Sequence, residues 1–232
     1  MYKIFDKNTK GVDYAVGDIH GNYTALEKLL KKVGFNKNTD RLFSVGDLTD
    51  RGPESIRALE FLKYSWFIAV RGNHEQIIIN HGLQDYDICY PKDRVNRDGN
   101  QWFFKLDNSV RNNIIQEFSK LPYAIQVGNV GIVHAYPLAD WKATLKCIKN
   151  KNRVLMNNLI WDRTVAKQIE MGRYHFPPIS GIDKVVVGHS IMRDVTYSSN
   201  VIFLDTGFFA GGMLSLLDLE TFDVVAQVSD LN

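Results

Sequence analysis

Gly46-Asp47-Leu48-Thr49-Asp50-Arg51-Gly52 follows the run Leu42-Phe43-Ser44-Val45 and leads into Gly52-Pro53, which opens a helix in this reading. Two carboxylates and a guanidinium therefore sit between a strand and a helix. A lone acid at such a place ordinarily caps a helix or pairs with an arginine. That explanation weakens when the flanking turns are read. Upstream, Gly17-Asp18-Ile19-His20-Gly21 follows Asp13-Tyr14-Ala15-Val16; downstream, Gly72-Asn73-His74-Glu75 follows Trp66-Phe67-Ile68-Ala69-Val70. Right-handed crossovers lay three such strands parallel, with their turns on the edge where open α/β sheets place ligands. Oxygen and imidazole groups from three turns then converge, with Asp47 in the middle as a candidate bridge between metals.

Outward from these units, Leu26, Leu29, Leu30 and Val33 recur at helical spacing, and Ile56, Leu59 and Leu62 recur every three residues after the second turn. The residues before Asp13 read as a polar lead-in. Residues 84–107 read as an irregular insertion flanking the site, with Trp102-Phe103-Phe104 as an exposed aromatic cluster. Val110, Ile114, Ile115 and Phe118 share a helix face that ends at Leu121-Pro122. Ala124 to Val127 and Val130 to Val133 flank Gly128-Asn129 as a hairpin delivering His134. Lys184 to Gly188 is a buried-strand pattern ending at His189, Val201 to Asp205 is another, and alternation in 213–219 and 224–228 predicts a closing antiparallel segment.

A chain of 232 residues, 45% of them hydrophobic, can bury one α/β core, and one domain over 1–232 is expected. The net charge of +2 gives no concentrated basic face, so neither nucleic acid nor an anionic membrane is an expected partner. Lys142, Lys146, Lys149, Lys151 and Arg153 read as a solvated helix face. Cys89 and Cys147 form no metal-binding or disulfide pattern and read as inert thiols. The N-terminus lacks a signal-peptide core and no apolar run is long enough to span a bilayer, so the expected location is cytoplasmic.

His20, His74, His134 and His189 each stand at or just inside a turn after a strand pattern. One such histidine is ordinarily structural; four beside Asp18, Asp47 and Asn73 are harder to dismiss. Mixed nitrogen and oxygen donors without thiolate suit Mn²⁺, Fe or Zn²⁺ better than Ca²⁺. The count fits two ions, one at Asp18, His20 and Asp47, the other at Asp47, Asn73, His134 and His189. Two cations at bridging distance lower the pKa of a shared water and clamp anionic oxygens for in-line attack, which is phosphoester hydrolysis chemistry.

Asp-x-His in a glycine-flanked turn, Gly-Asp-x-x-Asp-Arg-Gly, Gly-Asn-His-Glu, His134-Ala135 and Gly188-His189 resemble the phosphoprotein phosphatase family of metallophosphoesterases, most closely its bacteriophage-lambda-type serine/threonine branch with its bacterial relatives. Trp102-Phe103-Phe104, Ile160-Trp161-Asp162-Arg163 and Asp205-Thr206-Gly207 fall in the right order, so the likeness covers most of the chain. It implies an α/β, calcineurin-like fold: a central β-sandwich of mixed sheets flanked by helices. It also implies two divalent ions, Mn²⁺ first, and a phosphoserine or phosphothreonine protein or peptide as substrate, with tolerance for phosphotyrosine.

By the same resemblance His74 would be general acid and Asp50 would orient it, while Arg51 and Arg163 would hold phosphate. Glu75 and Arg71 would support the ligands or form a fold-holding salt bridge. His81 and His175 are expected at the surface, and Asp205 in a structural role. Ala135-Tyr136-Pro137, Ser190 and Thr49 depart from the pattern and bear on the groove rather than the metals. Two rival readings stand. Dinucleoside polyphosphate hydrolases share the first turn but typically lack the acid at Asp50 and carry Asp in place of Glu75. A non-catalytic binding module on this scaffold would have lost ligands or acid.

Overall fold

The computed structural model describes residues 1–83, 99–173 and 175–229. The three βα units take shape first, because each strand is short, apolar and followed by a glycine turn. Strands β2 (Asp13–Val16), β3 (Arg41–Ser44) and β4 (Phe67–Ala69) lie parallel and adjacent, with Val16 opposite Ser44 and Ser44 opposite Ala69. The hairpin of β10 (Met213–Asp218) and β11 (Val224–Ser229) closes this sheet antiparallel to β2, giving the order β11-β10-β2-β3-β4.

The second sheet has the order β1-β5-β6-β7-β9-β8. Its hairpin β5 (Ala124–Val127) and β6 (Val130–Val133) is the expected one, followed by β7 (Lys184–Val187) and β9 (Val201–Phe203), parallel to β6 and to β7 respectively. Two strands were not anticipated: β1 (Tyr2–Phe5), in what reads as a lead-in, pairs parallel with β5, and β8 (Thr196–Ser198) forms the far edge. Phe43, Val45 and Val70 from one sheet pack against Ile125, Ile132, Val186 and Ile202 from the other in a dry layer. The architecture is therefore a sandwich of mixed sheets. Burial of these side chains, about 1.5–3 kcal/mol each, holds the sheets face to face.

Helices cover the outer faces. α1 (Tyr23–Lys32) buries Tyr23, Leu26, Leu29 and Leu30, and its first turn is capped from the next unit, Thr24 donating from both N–H and hydroxyl to Glu54 at 2.7 Å. After Pro53 the chain makes a 3₁₀ turn at Ser55–Arg57 before α2 (Ala58–Phe61). The inward face is Ser55, Ala58 and Phe61, one residue out of phase with the expected stripe; Ile56 is 41% exposed. The cause is polar: Ser55 Oγ accepts from Asp50 N at 2.9 Å and donates to Gly52 O at 3.3 Å, which fixes the rotation of the turn.

α3 (Asn73–Leu83) carries Asn73 and His74 in its first turn, and packs on α5 (Asn108–Ser119), whose Ile114 and Phe118 are buried as expected. Of the expected insertion, 84–98 lies outside the described residues, Cys89 with it. The remainder includes a one-turn helix, α4 (Gln101–Phe104), whose Phe103 is buried in the core. Beside the second sheet lie α6 (Trp141–Lys149), α7 (Arg153–Trp161) and α8 (Thr164–Glu170). The five basic residues of 138–160 are exposed, as expected, and Cys147 is a free, buried thiol. Among the described residues no helix is long and apolar enough to cross a membrane.

Candidate metal centre

The donors leave the carboxyl ends of strands in both sheets: Asp18 after β2, Asp47 after β3, Asn73 and His74 after β4, His134 after β6, His189 after β7. Their backbones are unusual. His20, Asp47, Asp50, Arg51 and His189 have φ between 45° and 70°. Such left-handed backbone costs a non-glycine residue about 1–3 kcal/mol where it is strained, and surrounding contacts must hold it. Around Asp47 that work falls to Glu75, fully buried, whose carboxylate accepts from Asp47 N at 3.0 Å, Gly72 N at 2.8 Å and Leu48 N at 2.8 Å. The Asp47 carbonyl accepts from Ile19 N and His20 N, which ties the first turn to the second. The glycines are spacers: a Cβ on Gly72 would lie 2.1 Å from Asp47 Oδ1, and one on Gly188 2.1 Å from Asp18 Oδ1.

Two groups of donor atoms, each within 4.8 Å of one another, result: His20, Asp47 and His74, and Asp47, His134 and His189. Asp47 is common to both; the first group brings His74 to His20 and Asp47 where the sequence grouped Asp18 with them. His20 Nδ1–H donates to Thr49 O at 3.0 Å, leaving Nε2 3.7 Å from Asp47 Oδ2. His134 Nδ1–H donates to Val45 O at 2.7 Å, leaving Nε2 3.3 Å from Asp47 Oδ1 and 2.8 Å from Asn73 Oδ1. Ring orientation by a hydrogen bond from the far nitrogen is how ligating imidazoles are held. Asp18 stands one step back, taking the His189 N–H at 3.0 and 3.2 Å.

The electrostatics fit divalent cations. Burial, then Asp205 and Asp47, push the Asp18 carboxyl well above the usual range; burial with Asp47 lifts Glu75 to about 7, and burial first of all lifts Asp205 to about 6. These acids crowd one another for want of positive charge. Burial would raise Asp47 too, but His134 and His74 outweigh it and hold Asp47 ionised. His20 falls to about 3 through burial and the neighbouring His74, and His189 to about 2 through burial, His134 and Arg163, so both are neutral imidazoles, and the His189 Nε2 lone pair accepts from Arg163. Donor types, burial and surplus acid suit the pair of ions expected from the sequence.

Within the first group, His74 Nδ1–H donates to Asp50 Oδ2 at 2.7 Å, and its Nε2 lies 3.9 Å from Asp47 Oδ2. Burial would lower its pKa, yet Asp47 and Asp50 prevail and hold it at about 9. Arg51 is exposed, its guanidinium 5.4 Å from the centre of the Phe209 ring, which packs edge-on against His20 at 4.5 Å. Arg163 donates from Nε to His189 Nε2 and from Nη2 to His189 O, both at 3.1 Å. It lines a cavity of about 410 Å³ with Asn158, Trp161, Asp162, Thr164 and Lys167.

A family model described as calcineurin-like phosphoesterase matches residues 14–201. The chain belongs to that family. Within the calcineurin-like phosphoesterases it is 32% identical over 221 residues to serine/threonine-protein phosphatase 1 of Salmonella typhimurium, across 94% of this chain and 96% of that protein. It is 27% identical over 266 residues to the symmetrical bis(5'-nucleosyl)-tetraphosphatase of Neisseria meningitidis, across 91% and 93%. Its fold matches the structure of a protein serine/threonine phosphatase from Saccharomyces cerevisiae with a TM-score of 0.66 at 17% identity, covering 100% of this chain and 84% of that one.

Several expectations need correction. Trp102-Phe103-Phe104 is not an exposed cluster: Phe103 is core, and Trp102 Nε1–H donates to Asp50 Oδ1 at 2.7 Å. His81 is buried, edge-on to Phe104 and beside Asn100, not at the surface; His175 is exposed as expected. Among the described residues Arg71 holds the fold through neutral acceptors rather than a salt bridge, donating to Gln76, Tyr123 and the Ser119 carbonyl. Phe209, packed on His20, and Ser55, which accepts from Asp50 N, are not among the sequence expectations. The adjacent aromatics Phe208-Phe209 after Gly207 were the available signal for the first; nothing in sequence marked the second.

Proposed function

We propose that the protein is a metal-dependent serine/threonine protein phosphatase, hydrolysing phosphomonoesters of phosphoserine and phosphothreonine, with Mn²⁺ as the preferred ion and the cytoplasm as its location. The observation that carries this reading is the buried Asp50–His74 pair, His74 lying in the donor group with His20 and Asp47. Bound at Asp18, His20, Asp47, Asn73, His134 and His189, two divalent cations would lower the pKa of water at neutral pH and neutralise charge on phosphate oxygens.

The chain's own groups do the rest. Asp50 fixes the His74 ring through Nδ1, so the proton it gives to the leaving-group oxygen leaves from Nε2. Against burial, Asp47 and Asp50 hold its pKa at about 9 in the metal-free chain, and a positioned acid of this kind is worth about 10²- to 10⁴-fold. By this reading Arg51, exposed beside Phe209, and Arg163, whose Nε and Nη2 hold His189, would bind phosphate oxygens.

The Neisseria relative supports a second reading, hydrolysis of a dinucleoside polyphosphate. Asp50, hydrogen-bonded to His74, and Glu75, with the reach to span three N–H groups, favour the monoesterase. Hydrolysis of p-nitrophenyl phosphate, phosphoserine and phosphothreonine peptides and diadenosine tetraphosphate, each with Mn²⁺, Fe²⁺, Zn²⁺ and chelator, tests both. The expected result is Mn²⁺-dependent turnover of phosphopeptides. Faster turnover of diadenosine tetraphosphate reverses the choice, and no turnover with any ion leaves a binding module.

A further inference from the structure

Asp50 is fully buried, and among the described residues each of its carboxylate oxygens has one donor: Oδ2 takes His74 Nδ1–H and Oδ1 takes the Trp102 indole N–H, both at 2.7 Å. The indole does not arrive there by chance packing. α4 is anchored by Phe103, 2% exposed, and the turn before it presses on the Asp50-Arg51 backbone at Gly99. A Cβ on Gly99, whose φ is +79°, would lie 2.6 Å from Arg51 N. Asn100, fully buried, reaches His81 on α3 at 3.4 Å, so the turn is tied to the helix that carries His74.

We infer that Trp102 is a positioning residue for proton transfer: its indole N–H pins the Asp50 carboxylate in the one rotation that leaves Oδ2 facing His74. Without that donor, Oδ1 is a buried acceptor with no partner among the described residues, and the carboxylate turns to find one, taking the imidazole out of line. The inference rests on the reading of His74 as general acid.

Leaving-group dependence separates this role from mere support of the fold. Protonation matters for a serine alkoxide and little for 2,4-dinitrophenolate. Trp102→Phe, which keeps an aromatic ring in place, is compared with His74→Asn on a phosphoserine peptide and on 2,4-dinitrophenyl phosphate. The expected result is a loss of about 10- to 100-fold in kcat/KM on the peptide, the factor of one lost hydrogen bond to a charge. The loss on the dinitrophenyl ester should be clearly smaller, the same ordering as in His74→Asn.

Equal losses on both substrates, or none, overturn the role of Trp102 while leaving His74 intact. Equal losses in His74→Asn itself remove the general-acid reading and the inference with it. If Trp102→Phe does not fold, benzothienylalanine at 102, which keeps the bicyclic shape without the N–H, is read the same way. Independently of activity, the indole proton resonance of Trp102 should move upfield in Asp50→Ala; an unmoved resonance overturns the hydrogen bond.

Discussion

Glu75 shows how much can rest on a residue that touches no reacting atom. Its two oxygens satisfy three buried N–H groups around the left-handed turn at Asp47. Glu75→Ala strands all three, and at about 1–3 kcal/mol for each unsatisfied group, with partial relaxation, the expected cost is about 3–5 kcal/mol, read from the urea midpoint. Glu75→Gln, which keeps one acceptor oxygen, should lose less. His74 makes a second residue-scale prediction. Its folded pKa of about 9 lies above the ordinary 6.5. The stability it contributes is complete below about pH 6.5 and disappears as pH rises through 9. In chelator-treated protein Asp50→Asn should flatten that part of the stability–pH curve; a slope unchanged from the parent refutes the assignment.

At the scale of elements, the strand-to-helix turns are the working parts. Gly72 and Gly188 lie where another turn's carboxylate comes within 2.1 Å of any added Cβ. Gly72→Ala and Gly188→Ala should therefore weaken metal binding by about 10- to 100-fold, the usual range for disturbing a ligand's support. Calorimetric titration with Mn²⁺ measures it, and affinity equal to the parent's would refute the steric account. These turns were legible because apolar runs, glycines and ligand residue types recur together in sequence. Elements made by pairing alone were not. β1 carries Ile4 60% exposed and no strand period, and exists through its register with β5. α2 slipped a residue because Ser55 serves Asp50, and Trp102 looked like surface because its partner lies 52 positions away. Long-range polar contacts leave no local trace.

Over the whole molecule, buried acids outnumber what the nearby imidazoles can neutralise. Asp18, Glu75 and Asp205 all sit above their ordinary pKa values in the chain without metal. Protons and cations must then compete for the site. Mn²⁺ should raise the thermal midpoint more at pH 7.5 than at pH 5.5, and a hundredfold excess over Kd is worth about 2.7 kcal/mol. An equal gain at both pH values would count against it.

Asp47 ends a strand of one sheet; His134 and His189 end strands of the other. Any ion gripped between them is a cross-link over a long stretch of chain, stapling the seam of the sandwich much as a disulfide would. Stripping it should quicken amide exchange in the turns after β3 and β7 together, as one opening unit.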